Sequence, residues 1–300
     1  MVSPAGTLTA VWRSSRVPFL LLAPLCVLLA AATTKAYGIL PDFRLLALAA
    51  LTAVTAHASV NLLNEYQDFT AGIDGMTRRT PFSGGSGHLP AHPDAARIVH
   101  RAAWLGFVLT ILLGLPFLFL RGPWILFPGL IGLLLIVGYT RWINRHPWLC
   151  LVAPGIGIGV CMMLGTHMAL GAPLTPLTWL CAGLLFAAGN NLLLLNQIPD
   201  IEADRLGGRR HFAIVYGVRS AFAAYAFFLL LQITLWGWGL ASEILPVGAV
   251  LAGSAFIPAT AAAIGFRRFG AQVGQHPWAL ALNVAACLML PASLAMTLGV

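Results

Sequence analysis

PLTWLCAGLLFAAGNNLLLLNQ (176–197) runs directly into IPDIEADRLGGRR (198–210), so an apolar stretch long enough to cross a bilayer ends in a knot of charge. A membrane-spanning helix needs about 20 apolar residues. The run meets that length but turns polar at its end, with Asn190, Asn191, Asn196 and Gln197. Working outward, eight further apolar runs appear, at 17–36, 43–63, 100–120, 123–140, 147–170, 218–240, 244–265 and 277–298. Pro116, Pro154 and Pro291 fall in or near these runs, which membrane helices tolerate. The chain has 300 residues, 59% hydrophobic and 9% charged, with mean hydropathy +0.86. Soluble domains carry about 25% charged residues. The composition excludes a soluble enzyme, and its apolar content excludes a disordered chain. The expected fold is an all-α integral membrane protein, a nine-helix transmembrane bundle with a central cavity open to the cytoplasmic side. It forms a single domain over 1–300.

The formal charge of +8 reads as topology rather than nucleic-acid binding. With the N-terminus in the cytoplasm, Arg13, Arg16, Arg78, Arg79, Arg97, Arg101, Arg141, Arg145, Arg205, Arg209, Arg210, Arg219, Arg267 and Arg268 are cytoplasmic. Only Lys35, Arg44 and Arg121 fall outside, fourteen against three, and the C-terminus is outside. This predicts a multi-pass protein of the inner (plasma) membrane whose partner is the lipid bilayer, with no obligate protein partner. The run at 17–36 reads as a first span rather than a cleaved signal peptide. Cys26, Cys150, Cys161, Cys181 and Cys287 are isolated and read as small apolar residues.

Nine residues are acidic, and six of them fall within 65–74 and 200–204. The ends of the second and sixth runs match: NLLNEYQD (61–68) and LLLNQIPD (193–200) each place Asn four residues before Asp, 132 residues apart. Duplicated halves, about 1–145 and 146–300, are a common membrane architecture. Residues four apart share a helix face. Asn64 and Asp68 therefore align, with Glu65 close to that face. Asp200 and Asp204 align likewise, and Glu202 turns away. Asp74 follows Gly72 in a turn, and Gly207-Gly208 ends the second helix. Glu202 and Asp94 read as surface charges.

Facing carboxylates beside arginines suit Mg2+, which takes one or two carboxylates plus substrate phosphates. Arg78, Arg79, Arg141, Arg145, Arg205 and Arg209 can hold phosphate in fork geometry. Within a membrane such chemistry belongs to a lipid diphosphate, such as a polyprenyl diphosphate. Gly84, Gly85 and Gly87 form either a phosphate nest or a lid. His57 lies two turns before Asn64, placed to line the cavity. The remaining histidines have no metal-ligand spacing.

At these residues the chain resembles the UbiA superfamily of membrane prenyltransferases. NLLNEYQDFTAGID (61–74) resembles its first Asp-rich motif, and NQIPDIEADRLGGRR (196–210) its second. Asp74, ten positions after Asn64, makes the first motif most like the 1,4-dihydroxy-2-naphthoate branch. Three departures stand out. Glu65 replaces an Asp and lengthens the arm. TPFSGGSGHL (80–89) differs from the usual loop. Ile143 takes a Lys position, leaving Arg141 or Arg145 to supply that charge.

The resemblance implies Mg2+-dependent transfer of a prenyl group from a polyprenyl diphosphate to an aromatic acceptor, in menaquinone or phylloquinone synthesis. Two Mg2+ ions are expected, held by Asn64, Glu65, Asp68, Asp74, Asn196, Asp200 and Asp204. Asp68, Asp200 and Asp204 are the expected catalytic acids. Tyr66, Phe69, Tyr139 and Trp142 shield a cation or pack at the interface. A UbiA-type terpene cyclase or another acceptor is the alternative. More distant is a secondary transporter, although here the acids sit at one face rather than at the midplane.

Overall fold

The computed structural model describes residues 4–299 and, among them, contains helices and no strand. Nine of its helices are long and apolar enough to cross a membrane. A short amphipathic helix α1 (Pro4–Ser14) precedes them, with Leu8 and Trp12 exposed beside Arg13. The spans are α2 (Val17–Ala36), α3 (Phe43–Thr70), α4 (Pro93–Arg121), α5 (Pro123–Arg141), α6 (Pro147–Ala169) and α7 (Pro176–Asn196). A small helix α8 (Ile201–Leu206) follows. The last three spans are α9 (Phe212–Ala241), α10 (Val247–Gln275) and α11 (Pro277–Thr297). Each agrees in place with an apolar run of the sequence. The differences lie at the ends. α3 continues past residue 63 to Thr70, because its polar last two turns are packed inside the protein rather than released to water. α9 begins at Phe212 and kinks at Gly217, whose φ of 83° no interior helical residue adopts.

The outward surfaces are apolar, as lipid-facing helices require. Phe119 and Val247 are both more than four-fifths exposed. The largest buried cluster is built from α2, α6, α7, α9, α10 and α11, with α7 at its centre. The two asparagines in the middle of α7 are structural glue. Asn190 Oδ1 accepts from Gly155 N at 2.7 Å. Asn191 Nδ2 donates to Tyr225 O at 3.1 Å, and Asn283 Nδ2 donates to Asn191 O at 3.2 Å. Side-chain amides in a hydrocarbon setting must find partners, and these join α6, α9 and α11 to α7.

The close crossing of α6 and α7 comes from Gly155 and Gly159. A Cβ at either would collide with backbone oxygens of α7, at Phe186 and Ala182. Pro154 lies one residue before Gly155, and the helix widens into a π-type turn at Ile156–Leu164, a known source of helix distortion. This packing sets α7 against the cavity and delivers its polar C-terminal end beside that of α3.

Candidate functional site

The C-terminal ends of α3 and α7 meet at a cavity of about 280 Å³. α3 remains helical through the first acidic stretch, so Asn64 and Asp68 do share a face, with Asn64 Nδ2 donating to Asp68 Oδ2 at 2.9 Å. Asn64 Oδ1 in turn accepts from Thr140 Oγ1 at 2.8 Å. The second stretch breaks instead. α7 stops at Asn196, since Pro199 has no N–H to continue the ladder. Asp200 then starts α8, and Asp204 N donates to Asp200 O at 2.8 Å. Gly207 and Gly208 end α8, and Gly208 has φ +80°. That turn brings Arg209 back over the acids.

Arg209 is the centre of the charge arrangement. Its Nη1 donates to Asp204 Oδ1 at 2.8 Å, and its Nη2 pairs with Asp68 Oδ1. One guanidinium therefore ties the two acidic stretches together. Burial opposes its charge, yet Asp68 and Asp204 overcome that and hold its pKa above the ordinary arginine range. His211 Nε2 lies 3.3 Å from Asp204 Oδ2, without hydrogen-bond geometry.

A roof covers the cavity. It is the loop 80–87, in which Gly84, Gly85 and Gly87 all have φ between 72° and 80°. Gly85 has no room for a side chain, because a Cβ would come within 2.7 Å of Asp74 Oδ1. Gly84 N donates to Asp200 Oδ2 at 3.0 Å. Burial pushes the Asp200 carboxyl up to about 7, helped by the neighbouring Asp204 charge and offset in part by that Gly84 bond. Asp74 is also pushed up to about 7, by burial first and then by the charges of Glu65 and Asp68.

Of the residues singled out in the sequence, Asn64, Asp68, Asp74, Asn196, Asp200, Asp204, Arg209 and Tyr139 line one cavity. Glu65 does not. It is fully buried and turned toward Arg16 and Ser86 rather than toward the Asn64–Asp68 face. Arg78, Arg141, Arg145 and Arg205 are exposed and away from the cavity. Arg141 lies over Trp142, and Arg205 pairs with the exposed Glu202 at 3.4 Å. Arg79 sits in the roof, with Nη2 donating to Asp74 O at 3.3 Å. Tyr66 stacks on His100 with ring centroids 4.1 Å apart, and Phe69 packs in a satellite apolar cluster. Sequence reasoning missed Arg16, which lines the cavity from the start of α2. Its only signal was a charge directly before an apolar run, which topology also explains.

The donor set suits a hard divalent cation. Asp74 Oδ2, Asp200 Oδ1, Asp204 Oδ2 and Asn196 Oδ1 are buried oxygens without a hydrogen-bond donor, and such orphaned acceptors are costly unless something satisfies them. Among the described residues no three His, Cys, Asp or Glu side chains form a ready-made metal cluster. Oxygens that close a coordination shell together with a ligand's phosphates need no such cluster.

Beyond the acids the cavity adjoins a second, apolar chamber of about 290 Å³ between α3, α4, α5 and α6. The two share His57, Val60, Leu135, Gly157 and Met162. Small residues make this space: Ala49, Ala53 and Ala56 on one wall, Gly114 and Gly129 on others. His57 stands at the junction with its Nδ1 unpartnered.

Residues 21–286 match the model of the UbiA prenyltransferase family. No curated protein matches the sequence. Solved structures share the fold. A UbiA homolog from Aeropyrum pernix K1, in the apo form, aligns with TM-score 0.69 at 16% identity, over 90% of this chain and 96% of that one. A structure described for digeranylgeranylglyceryl phosphate synthase in membranes aligns with TM-score 0.67 at 15% identity, over 97% and 98%. A UbiA homolog from Archaeoglobus fulgidus, bound to DMAPP and Mg2+, aligns with TM-score 0.66 at 13% identity, over 97% and 99%.

Proposed function

The chain belongs to the UbiA prenyltransferase family, and from that premise we propose that it transfers a prenyl group from a polyprenyl diphosphate to 1,4-dihydroxy-2-naphthoate in quinone biosynthesis. The observation that carries this reading is the cavity itself. At one end it holds buried acids and two arginines, and at the other it shares its apolar walls with a second, apolar chamber. A diphosphate with a hydrocarbon tail has the same division. Ala49, on the chamber wall, lies 19 residues before Asp68 on one helix, about 28 Å at 1.5 Å per residue, a span that suits a long tail.

Asp68, Asp74, Asn196, Asp200 and Asp204 would hold Mg2+, with Asn64, whose amide is engaged by Asp68 and Thr140, orienting Asp68, and two ions suit two acidic stretches. When bound, the metal neutralises charge on the diphosphate oxygens. Arg209 and Arg16, both lining the cavity, bind the leaving diphosphate as the allylic C–O bond breaks and it departs with the electron pair. Electrostatic stabilisation of this kind is commonly the largest contribution to catalysis. Val60, Leu135, Ile158 and Met162 exclude water from the allylic carbon. There the electron-rich acceptor ring forms the new carbon–carbon bond and loses a proton. Tyr139 presents its ring to the same space.

The first acidic stretch, with Asp74 ten positions after Asn64, supports the naphthoate acceptor. The arginine distribution supports a site on the cytoplasmic face of the inner (plasma) membrane, with the N-terminus cytoplasmic and the C-terminus outside. The matched stretches also support two pseudo-repeated halves of a single domain.

The test is diphosphate release from a labelled prenyl diphosphate, with and without 1,4-dihydroxy-2-naphthoate. Asp68→Ala and Asp200→Ala should abolish transfer while the protein still inserts. Near-normal Mg2+-dependent turnover in both would remove this mechanism. Transfer only to other aromatic acceptors would remove the naphthoate assignment and keep the rest.

A further inference from the structure

Glu65 sits between two of the best cavity residues in sequence and yet faces elsewhere. Asn61, Asn64 and Asp68 line the cavity along one side of α3, and Glu65, about 60° round the helix from Asp68, points past the edge of that face. Asn61 and Glu65 together hold the chain ahead of α2. Asn61 Nδ2 donates to Ser15 O at 2.9 Å, and Arg16 Nη2 donates to Glu65 Oε2 at 3.2 Å. The same carboxylate holds the roof. Ser86 N donates to Oε1 and Oε2 at 3.1 and 3.0 Å, and the Ser86 hydroxyl donates to Oε1. Each Glu65 oxygen thus receives two donors, and the residue is 0% exposed.

Two features show that these contacts constrain their partners. Arg16 has φ 53° and ψ 53°, the left-handed region that a non-glycine residue occupies only when its surroundings hold it there. The roof is anchored at its other end by Gly84 N on Asp200 Oδ2. Glu65 is therefore the point where the segment carrying Arg16 and the loop over the acids are joined.

We propose that Glu65 is a positioning residue that clamps Arg16 and the roof loop over the diphosphate end of the cavity. The proposal rests on the diphosphate reading above. It also accounts for the residue type. Aspartate is one methylene shorter, about 1.5 Å, and from the same Cα its carboxylate does not reach Ser86 and Arg16 together. A metal ligand would behave in the opposite way, since aspartate keeps the charge and glutamine removes it.

The experiment compares full-length Glu65→Asp and Glu65→Gln by hydrogen exchange of the 80–89 loop and by steady-state kinetics with DMAPP, varying Mg2+. In Glu65→Asp the Ser86 amide should exchange about tenfold faster and KM for DMAPP should rise about tenfold, the loss of charge-assisted hydrogen bonds. The Mg2+ concentration for half-maximal rate should not move. Glu65→Gln keeps the reach and an acceptor for Ser86 but loses the Arg16 pair, so its loop exchange stays near wild type while KM still rises. Wild-type exchange and KM in Glu65→Asp would overturn the proposal, as would a raised Mg2+ requirement confined to Glu65→Gln. Should Glu65→Asp fail to fold, Ser86→Ala reports the same anchor by exchange, and an unchanged loop there counts against it. If the wild type turns over no prenyl diphosphate, the diphosphate reading falls, and the exchange comparison alone upholds or overturns the clamp.

Discussion

The two acidic stretches share the pattern Asn-x-x-x-Asp but are built differently. In the first, α3 is unbroken, and Asn64 is spent on Asp68 and Thr140. In the second, Pro199 breaks the chain between Asn196 and Asp200, and the Asn196, Asp200 and Asp204 side chains each keep an oxygen without a donor. A continuous helix pairs its own polar groups and becomes rigid. A broken one aims them outward and leaves them for a ligand. The first stretch is thus mainly scaffold up to Asp68, whose oxygens are held by Asn64 and Arg209, with Asp74 beyond the helix keeping one oxygen for a ligand, and the second is mainly binding surface.

Arg209 bridges the two, and its loss should have the largest effect. Arg209→Ala leaves Asp68 and Asp204 buried without their shared partner, an arrangement that costs about 3–5 kcal/mol. Expected outcomes are a large fall in thermal stability of the metal-free protein and loss of transfer. Arg209→Lys should recover part of the stability but little of the activity, because a point charge cannot bridge two carboxylates as a fork does. Equal behaviour of the two variants in thermal melts and product assays would break the picture of one guanidinium joining both stretches.

The asparagines test the scaffold-versus-surface contrast directly. Asn64→Ala should lower stability by about 1–3 kcal/mol as well as activity, because it strips donors and acceptors from buried partners. Asn196→Ala should lower activity by a comparable factor with stability unchanged, since its Oδ1 has no partner to lose. Melting curves that fall equally for both would erase the distinction.

The pH response is smaller. Burial and Asp204 raise the folded Asp200 carboxyl to about 7. Between its unfolded value near 4 and that folded value, the unfolded chain releases a proton that the folded chain keeps. Metal-free stability from this group therefore falls as pH rises from about 4 to about 7 and is flat above. Asp200→Asn should flatten the slope, seen as melting temperature against pH, leaving the part due to Asp74. The smallest effect belongs to Glu202→Gln, at an exposed pair with Arg205, where stability should change by less than about 0.5 kcal/mol and transfer not at all.

Much of this was legible in the chain. Apolar length alone placed the nine spans, because hydrocarbon admits few alternatives to a self-satisfied helix. The 3.6-residue period paired Asn64 with Asp68, and it also set Glu202 apart from Asp200 and Asp204. The same period could not say where Glu65 points, since a residue about 60° round the helix from Asp68, at the edge of the cavity face, belongs to whatever packs there. It could not choose among the arginines either. Six were candidates by position in sequence, and Arg209 lines the cavity because Gly207 and Gly208 fold it back. Arg16 joins it from the far end of the primary structure.

Composition, then, decided the medium, the helices and which few residues carry acid chemistry, because burial in lipid penalises charge so heavily that each surviving carboxylate stands out. Packing decided which of those charges meet. Ion pairs and hydrogen bonds act over about 3 Å, and only the folded bundle brings residues 16, 65 and 86, or 68, 204 and 209, within that reach.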